Sequence, residues 1–175
     1  MELSPTAYVI LGMLAWQPMS GYDVKSLADQ STRFFWATSY GQIYPELRRL
    51  AAAGLVEAEP QEGGGGRGRK AYNLTDDGAR VLREWLAQPP RALEMRDEAL
   101  LKLFFAGSAP ETAVGALEGK RRELEAKLAQ LRALEASGKP SGHPALVLRY
   151  GIELSEWMVA WCEREAARLR EEGAP

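Results

Sequence analysis

A chain of 175 residues, 46% of them hydrophobic, has the material for one medium domain or two small ones with packed cores. Cys162 is the single cysteine and His143 the single histidine; this excludes an internal disulfide, a cysteine-rich zinc site and most metal or triad chemistry, so no enzyme is expected and no catalytic, metal or cofactor residue is assigned. The 22 basic and 24 acidic residues leave a net charge of −2, and division at Pro89-Pro90 leaves −1 on each side (9 basic against 10 acidic, then 13 against 14), so any face for a polyanion must come from local placement of charge.

No run approaches the roughly 20 apolar residues of a membrane span. Glu2 stands where a secretion signal carries basic residues, so no membrane partner and a cytoplasmic location are expected. Ser4-Pro5 opens the first element with a cap and a proline at the first helical position, and Ala7, Tyr8, Ile10, Leu11 and Leu14 form its apolar stripe; the helix is predicted over 5–15. Ser20 and Asp23 resemble a capping box ahead of Val24, Leu27 and Ala28, which predicts a second helix to about Gln30. Ser39 and Gln42 repeat the pattern before Ile43, Leu47 and Leu50, with an end near Gly54. Pro45 is tolerable only in a first turn, so the regular part of this third helix is placed from Gly41 or Gln42.

After Gly54 the period changes. Residues 55–59 and 70–74 read as two strands joined by Gln-Glu-Gly-Gly-Gly-Gly-Arg-Gly-Arg, a hairpin with a long basic tip. Thr75 caps a fourth helix with Asp76 and Asp77 in its first turn and Leu82, Trp85 and Leu86 on the expected inner face. Helix, helix, helix, hairpin is the winged-helix order. Beyond Pro89-Pro90 three helices are predicted: Met95 to Ala106, nearly all apolar and expected to be buried; about Glu111 to Ala136, opened by a Ser108–Glu111 capping box; and about Pro144 to Glu172. The last carries Val147, Tyr150, Leu154, Trp157, Met158, Trp161 and Leu169 on one stripe. A helix of about 25 residues is about 37 Å long, too long to bury such a stripe on one short neighbour, so a second copy of the chain is the expected partner. The expected fold is mainly α: an N-terminal winged helix-turn-helix with a β-hairpin wing (1–88) and a C-terminal helical dimerisation and effector domain (91–175).

On a helical wheel Ile43, Leu47 and Leu50 fall within about 60° at about 100° per residue. Gly41, Gln42, Pro45, Arg48 and Arg49 then face away, with Tyr44 at the flank and Ser39 and Tyr40 at the head. Glutamine can pair bidentately with adenine, and arginine with guanine or phosphate; an ordinary solvated face is the plainer account of this helix alone. The hairpin tip carries Arg67, Arg69 and Lys70 with no acid between Gly63 and Asn73, which suits a phosphate backbone or a minor groove once the preceding helices are counted. Gly63, Gly65 and Gly68 match G-x-G-x-x-G, but between two strands and without the acidic ribose partner, so nucleotide binding is rejected. His143 and Cys162 lie about 28 Å apart along one helix and receive no role. Trp157, Met158 and Trp161 could line a pocket for a small aromatic or apolar effector; packing in the core or across a dimer explains them equally well and takes precedence.

The ordered series Met19-Ser-Gly-Tyr-Asp23, Gly41-Gln-Ile-Tyr-Pro45-x-Leu47-x-x-Leu50, Gly54-Leu-Val56 and Gly66-Arg-Gly-Arg-Lys70-x-Tyr72-x-Leu74-Thr75-x-x-Gly78 resembles the winged-helix domain of PadR-family regulators over residues 5–87. The helical tail is similar to the dimerisation domain of the larger PadR subfamily. The resemblance implies a homodimer on double-stranded DNA with a roughly palindromic operator, usually a repressor released by a small molecule, and hence a cytoplasmic, nucleoid-associated protein. It places Gln42 and Tyr44 in the recognition helix, Arg67, Arg69 and Lys70 in the wing, and Tyr22 and Tyr72 near the backbone. The four-glycine wing departs from the family pattern and puts fixed wing contacts in doubt. The alternative is a winged-helix protein-interaction module without DNA binding, since folds of this kind are reused.

Overall fold

A computed structural model of the chain describes residues 3–60, 70–90 and 96–172. The chain divides into two compact units, Met1–Ala92 and Leu93–Pro175.

In the first unit, α1 (Pro5–Leu14) starts where Ser4 Oγ accepts the Ala7 N–H at 3.1 Å, and it buries Ala7, Ile10, Leu11, Met13 and Leu14. The box ahead of α2 (Gly21–Gln30) is closed in both directions: Asp23 N–H donates to Ser20 Oγ at 3.2 Å and Ser20 N–H donates to Asp23 Oδ2 at 3.1 Å. A short 3-10 turn, Thr32–Phe34, leads to α3 (Tyr40–Ala52). This helix closes as a Schellman motif: Leu55 N–H donates to Leu50 O, Gly54 N–H donates to Ala51 O, and Gly54 takes the φ of 70° that such an ending requires. α3 begins earlier than expected, which leaves Pro45 in its second turn rather than its first. The missing proline N–H would have bonded the Gly41 carbonyl, but both residues are solvent-exposed, so water can satisfy that oxygen while buried Ile43, Leu47 and Leu50 hold the helix in place.

Strands β2 (Val56–Pro60) and β3 (Lys70–Leu74) pair antiparallel with Val56 opposite Leu74 and Ala58 opposite Tyr72. A strand the sequence did not announce, β1 (Met19–Ser20), pairs with the other side of β3, giving the order β1-β3-β2. α4 (Asp76–Leu86) is capped by Thr75 Oγ1, which accepts the Gly78 N–H at 3.0 Å and donates to Gly54 O at 2.8 Å. Leu82 is buried, but Trp85, which stacks on Tyr8 with ring centroids 4.4 Å apart, is still 40% exposed and Leu86 is 66% exposed, so the inner face of α4 is narrower than expected.

The second unit departs more from expectation. α5 (Glu98–Phe104) buries none of its residues, and Phe104 and Phe105 are 80% and 62% exposed. Its apolar character, expected to be buried, is turned outward, with Leu103 packed inward against the cluster of Leu117, Leu124, Cys162 and Ala166. Ser108 and Glu111 form no capping box: they fall in two successive 3-10 turns, Ala106–Ser108 and Pro110–Thr112, because Pro110 opens a new turn between them. α6 (Ala113–Ala136) and α7 (Gly142–Glu172) form an antiparallel hairpin. Leu117, Leu124 and Leu131 recur every seven residues on its buried side, and Arg132 bonds Glu156 at 2.5 Å, Arg121 meets Glu163 at 3.5 Å and Arg170 pairs with Glu118 across it. Lys120, buried on α6, pairs with Asp97, the N-cap of α5. Among the described residues no helix is long and apolar enough to cross a membrane.

Candidate nucleic-acid interface

α3 presents two chemically distinct sides. Ile43, Leu47 and Leu50 are buried, and Tyr40, Gly41, Gln42, Tyr44, Pro45, Arg48 and Arg49 are exposed, as is Ser39 ahead of them. The polar face drawn on the wheel therefore exists as a surface of this unit. Two of its members are already engaged. Gln42 Oε1 accepts from Ser39 N–H at 2.9 Å and from Ser39 Oγ at 3.2 Å, so the side chain closes the N-terminus of its own helix. A bidentate adenine contact needs that same oxygen together with Nε2, and Gln42 can make it only by sharing or leaving the cap. Arg49, itself exposed, is 3.1 Å from Glu46, a buried acid on the inward flank that the wheel left out, and Arg48 beside it is exposed as well.

Beside this face stands an aromatic ladder. Tyr22, from the first turn of α2, stacks with Tyr40 at 6.5 Å, and Tyr40 stacks with Tyr44 at 6.2 Å; all three rings are about half exposed. The close approach of α2 to α3 depends on Gly21, where a Cβ would stand 2.7 Å from Tyr44 Cε1 and 3.0 Å from Leu47 Cδ1. Ring spacing in sequence does not reveal such stacking across two helices. The same is true of Lys25, whose ammonium pairs with Asp29 and lies 5.2 Å from the centroid of the Tyr40 ring.

In the hairpin, Lys70 is exposed at the foot of β3, and Tyr72 is partly buried against the first core while facing Met19 and Ala58 on its flanking strands. Arg67 and Arg69 lie outside the described residues.

On α7 the expected effector residues separate. Trp157 is 59% exposed, while Met158 and Trp161 pack against the Leu117–Cys162 cluster. Val147, Tyr150, Leu154 and Trp157 follow one another at alternating spacings of three and four and are all exposed, an apolar seam with no partner within the described part of this chain. A hollow of about 140 Å³ lies by Arg121, Cys162 and Ala166, and another of about 330 Å³ by Leu3, Glu46 and Leu50; neither is lined by Trp157, Met158 or Trp161. Burial raises the pKa of the Cys162 thiol, which keeps it protonated and unreactive.

Residues 10–84 match the Transcriptional regulator PadR-like family and residues 95–170 match the Virulence activator alpha C-term family. The chain is 30% identical over 174 residues to the negative transcriptional regulator PadR of Bacillus subtilis (strain 168), covering 93% of this chain and 96% of that one. Its fold is similar to the crystal structure of Bacillus subtilis PadR in complex with operator DNA, with a TM-score of 0.84 and 30% identity over 93% of this chain and 98% of the other. The crystal structure of the same regulator with p-coumaric acid gives a TM-score of 0.77 at 28% identity, over 96% and 98% of the two chains.

Proposed function

The chain belongs to the Transcriptional regulator PadR-like family, and from that premise we propose that it is a homodimeric repressor, active in the cytoplasm at the nucleoid, that binds a palindromic operator and leaves it on taking up a small apolar ligand. The observation that carries the DNA-binding part is the division of α3 into a buried Ile43/Leu47/Leu50 side and an exposed side bearing Tyr40, Gln42, Tyr44 and Arg48. A helix seated in this way, with its N-terminal residues free of the core, can lie in a major groove. Ser39, Arg48 and Arg49 serve the phosphates, Gln42 reads a base, and Arg67, Arg69 and Lys70 supply wing charge to the backbone. Tyr22 stands at the same edge, and Tyr72 anchors the wing more than it touches DNA because it is partly buried against the core.

The first unit, residues 1–88, binds DNA in this reading, and the second, from residue 91, joins two copies through the exposed α7 seam. A palindromic operator asks for two recognition helices about 34 Å apart, one for each of two successive grooves, and the second copy supplies the other. The effector reading takes its support from the relative solved with p-coumaric acid, and it assigns Trp157 at the seam to contact with a flat aromatic ligand, with Met158 and Trp161 on the inward side of α7 against the Leu117–Cys162 cluster.

Selection of bound sites from random duplex DNA tests the function. The expected product is an inverted repeat with half-sites about ten base pairs apart; a pool that remains unenriched refutes it. Quenching of tryptophan fluorescence by aromatic acids, lost in Trp157→Phe, tests the effector site, and a ligand that releases the duplex while leaving every tryptophan signal unchanged places that site elsewhere.

A further inference from the structure

Lys25 lies three residues after Tyr22 on α2, a spacing that puts the two on neighbouring parts of one helix face. Its side chain is only 12% exposed, against 45% for Asp29, its ion-pair partner one turn on. A lysine is ordinarily extended into solvent, and ordering it costs side-chain entropy that an i,i+4 ion pair at a surface hardly offsets. The face of the Tyr40 ring, 5.2 Å from Nζ, supplies a second attraction for the same ammonium. Lys25 is thus held from two sides, by a carboxylate on its own helix and by an aromatic ring on the next.

We propose that Lys25 is a positioning residue for the recognition helix: clamped by Asp29, it covers Tyr40 and holds Tyr22, Tyr40 and Tyr44 as one rigid stack, whose exposed edges form a track for the sugar-phosphate strand beside the groove that α3 enters. The proposal rests on the duplex-binding reading and adds a mechanism to it. Tyrosine hydroxyls donate to phosphate oxygens without reading sequence, and the stack stands at the head of α3, where the helix dipole favours anions. Rings fixed in advance lose less freedom when a strand settles on them, which is how a residue that touches no DNA raises affinity. The ammonium, already paired with Asp29 and laid on a ring, displaces no counterion from the duplex when the complex forms. This separates it from a direct phosphate contact, which would add close to one to the salt slope.

The test uses the full chain and a selected duplex. Lys25→Met, which keeps the stem and removes the charge, should raise Kd about three- to tenfold with the slope of log K against log salt unchanged, and Lys25→Arg should restore binding. In a Tyr40→Leu background the Lys25→Met loss should disappear, because the ring it acts through is gone. A slope lower by about one, a loss undiminished in the Tyr40→Leu background, or no loss at all overturns the proposal. A readout without DNA accompanies it: the Lys25 ε-methylene protons should be shifted upfield by the ring, should return to the ordinary lysine position in Tyr40→Leu and stay shifted in Tyr40→Phe. Unshifted protons in the parent also overturn it. A parent that binds no duplex refutes the proposed function and the phosphate track with it, and the proton shift then reports on the clamp alone.

Discussion

Replacing Gly78 by alanine sets two effects of opposite sign against each other. Gly78 is in the first turn of α4, and by helix propensity alone alanine is better there by up to about 1 kcal/mol. The added Cβ, however, would stand 2.1 Å from the carbonyl oxygen of Leu55 and 2.7 Å from Leu74 Cδ1. The oxygen belongs to backbone and cannot rotate away, so α4 and the start of β2 must part by about an ångström. Overpacking of this kind costs about 1–3 kcal/mol. The separation also stretches the Thr75 N–H bond to Leu55 O at 3.2 Å and the Thr75 Oγ1 bond to Gly54 O at 2.8 Å, each worth about 0.5–1.5 kcal/mol. After subtracting the propensity gain, the expected loss is about 1–5 kcal/mol, a large fraction of what a small domain possesses. Urea unfolding followed by circular dichroism measures it, with Gly115→Ala on α6, where nothing lies within 4 Å of the new Cβ, as the control that should be neutral or stabilising. A Gly78→Ala protein as stable as its parent would show that the approach of α4 to Leu55 is looser than described.

Changing Arg67 and Arg69 together to alanine should weaken binding to every duplex and lower the salt slope by about two; equal slopes for variant and parent, read by fluorescence anisotropy across a salt series, remove the wing from the interface. Leu154→Glu with Trp157→Glu should convert the dimer to a monomer of unchanged helical content, because both residues are exposed within one chain; light scattering that still gives a dimer refutes the α7 seam. Desolvation pushes the Asp97 carboxyl up, but the Lys120 ammonium and the Leu100 and Ala99 N–H groups outweigh it and hold its pKa below the ordinary value. A lowered folded-state pKa stabilises the protein above the unfolded value of about 3.9 and loses that stability as pH falls through the folded value. The second unit should therefore weaken below about pH 4, and Asp97→Asn, which leaves Lys120 buried without its partner at a cost of about 3 kcal/mol, should be destabilised at pH 7 and show a flatter acid limb; equal stability at pH 7 contradicts the pairing.

Much of the first unit is legible in the sequence, because its helices announce themselves by local chemistry. Ser4, Ser20 and Thr75 each bond the N–H group that a cap should bond, and the exposed side of α3 follows from where Ile43, Leu47 and Leu50 fall on a wheel. What escaped the sequence depends on neighbours. β1 is two residues long and is a strand only because β3 lies beside it. Pro45 is tolerated because its defect faces water. The tyrosine stack needs Gly21 to let two helices approach, and a wheel drawn for α3 alone puts Tyr44 at the flank with no hint of Tyr22. The outward Phe104 and Phe105 had the composition of a core segment, and composition carries no direction when every neighbour is apolar. Arg67 and Arg69 were legible as charge and lie outside the described residues.

In the proposed complex α3 enters a duplex by its Tyr40–Arg49 face, twice per dimer. Hydroxyl-radical footprinting of a selected site reads this directly. Two protected patches are expected on one side of the duplex, centred about ten base pairs apart, both lost when Tyr44 and Arg48 are replaced by glutamate. A single continuous patch, or protection that survives those two replacements, contradicts it.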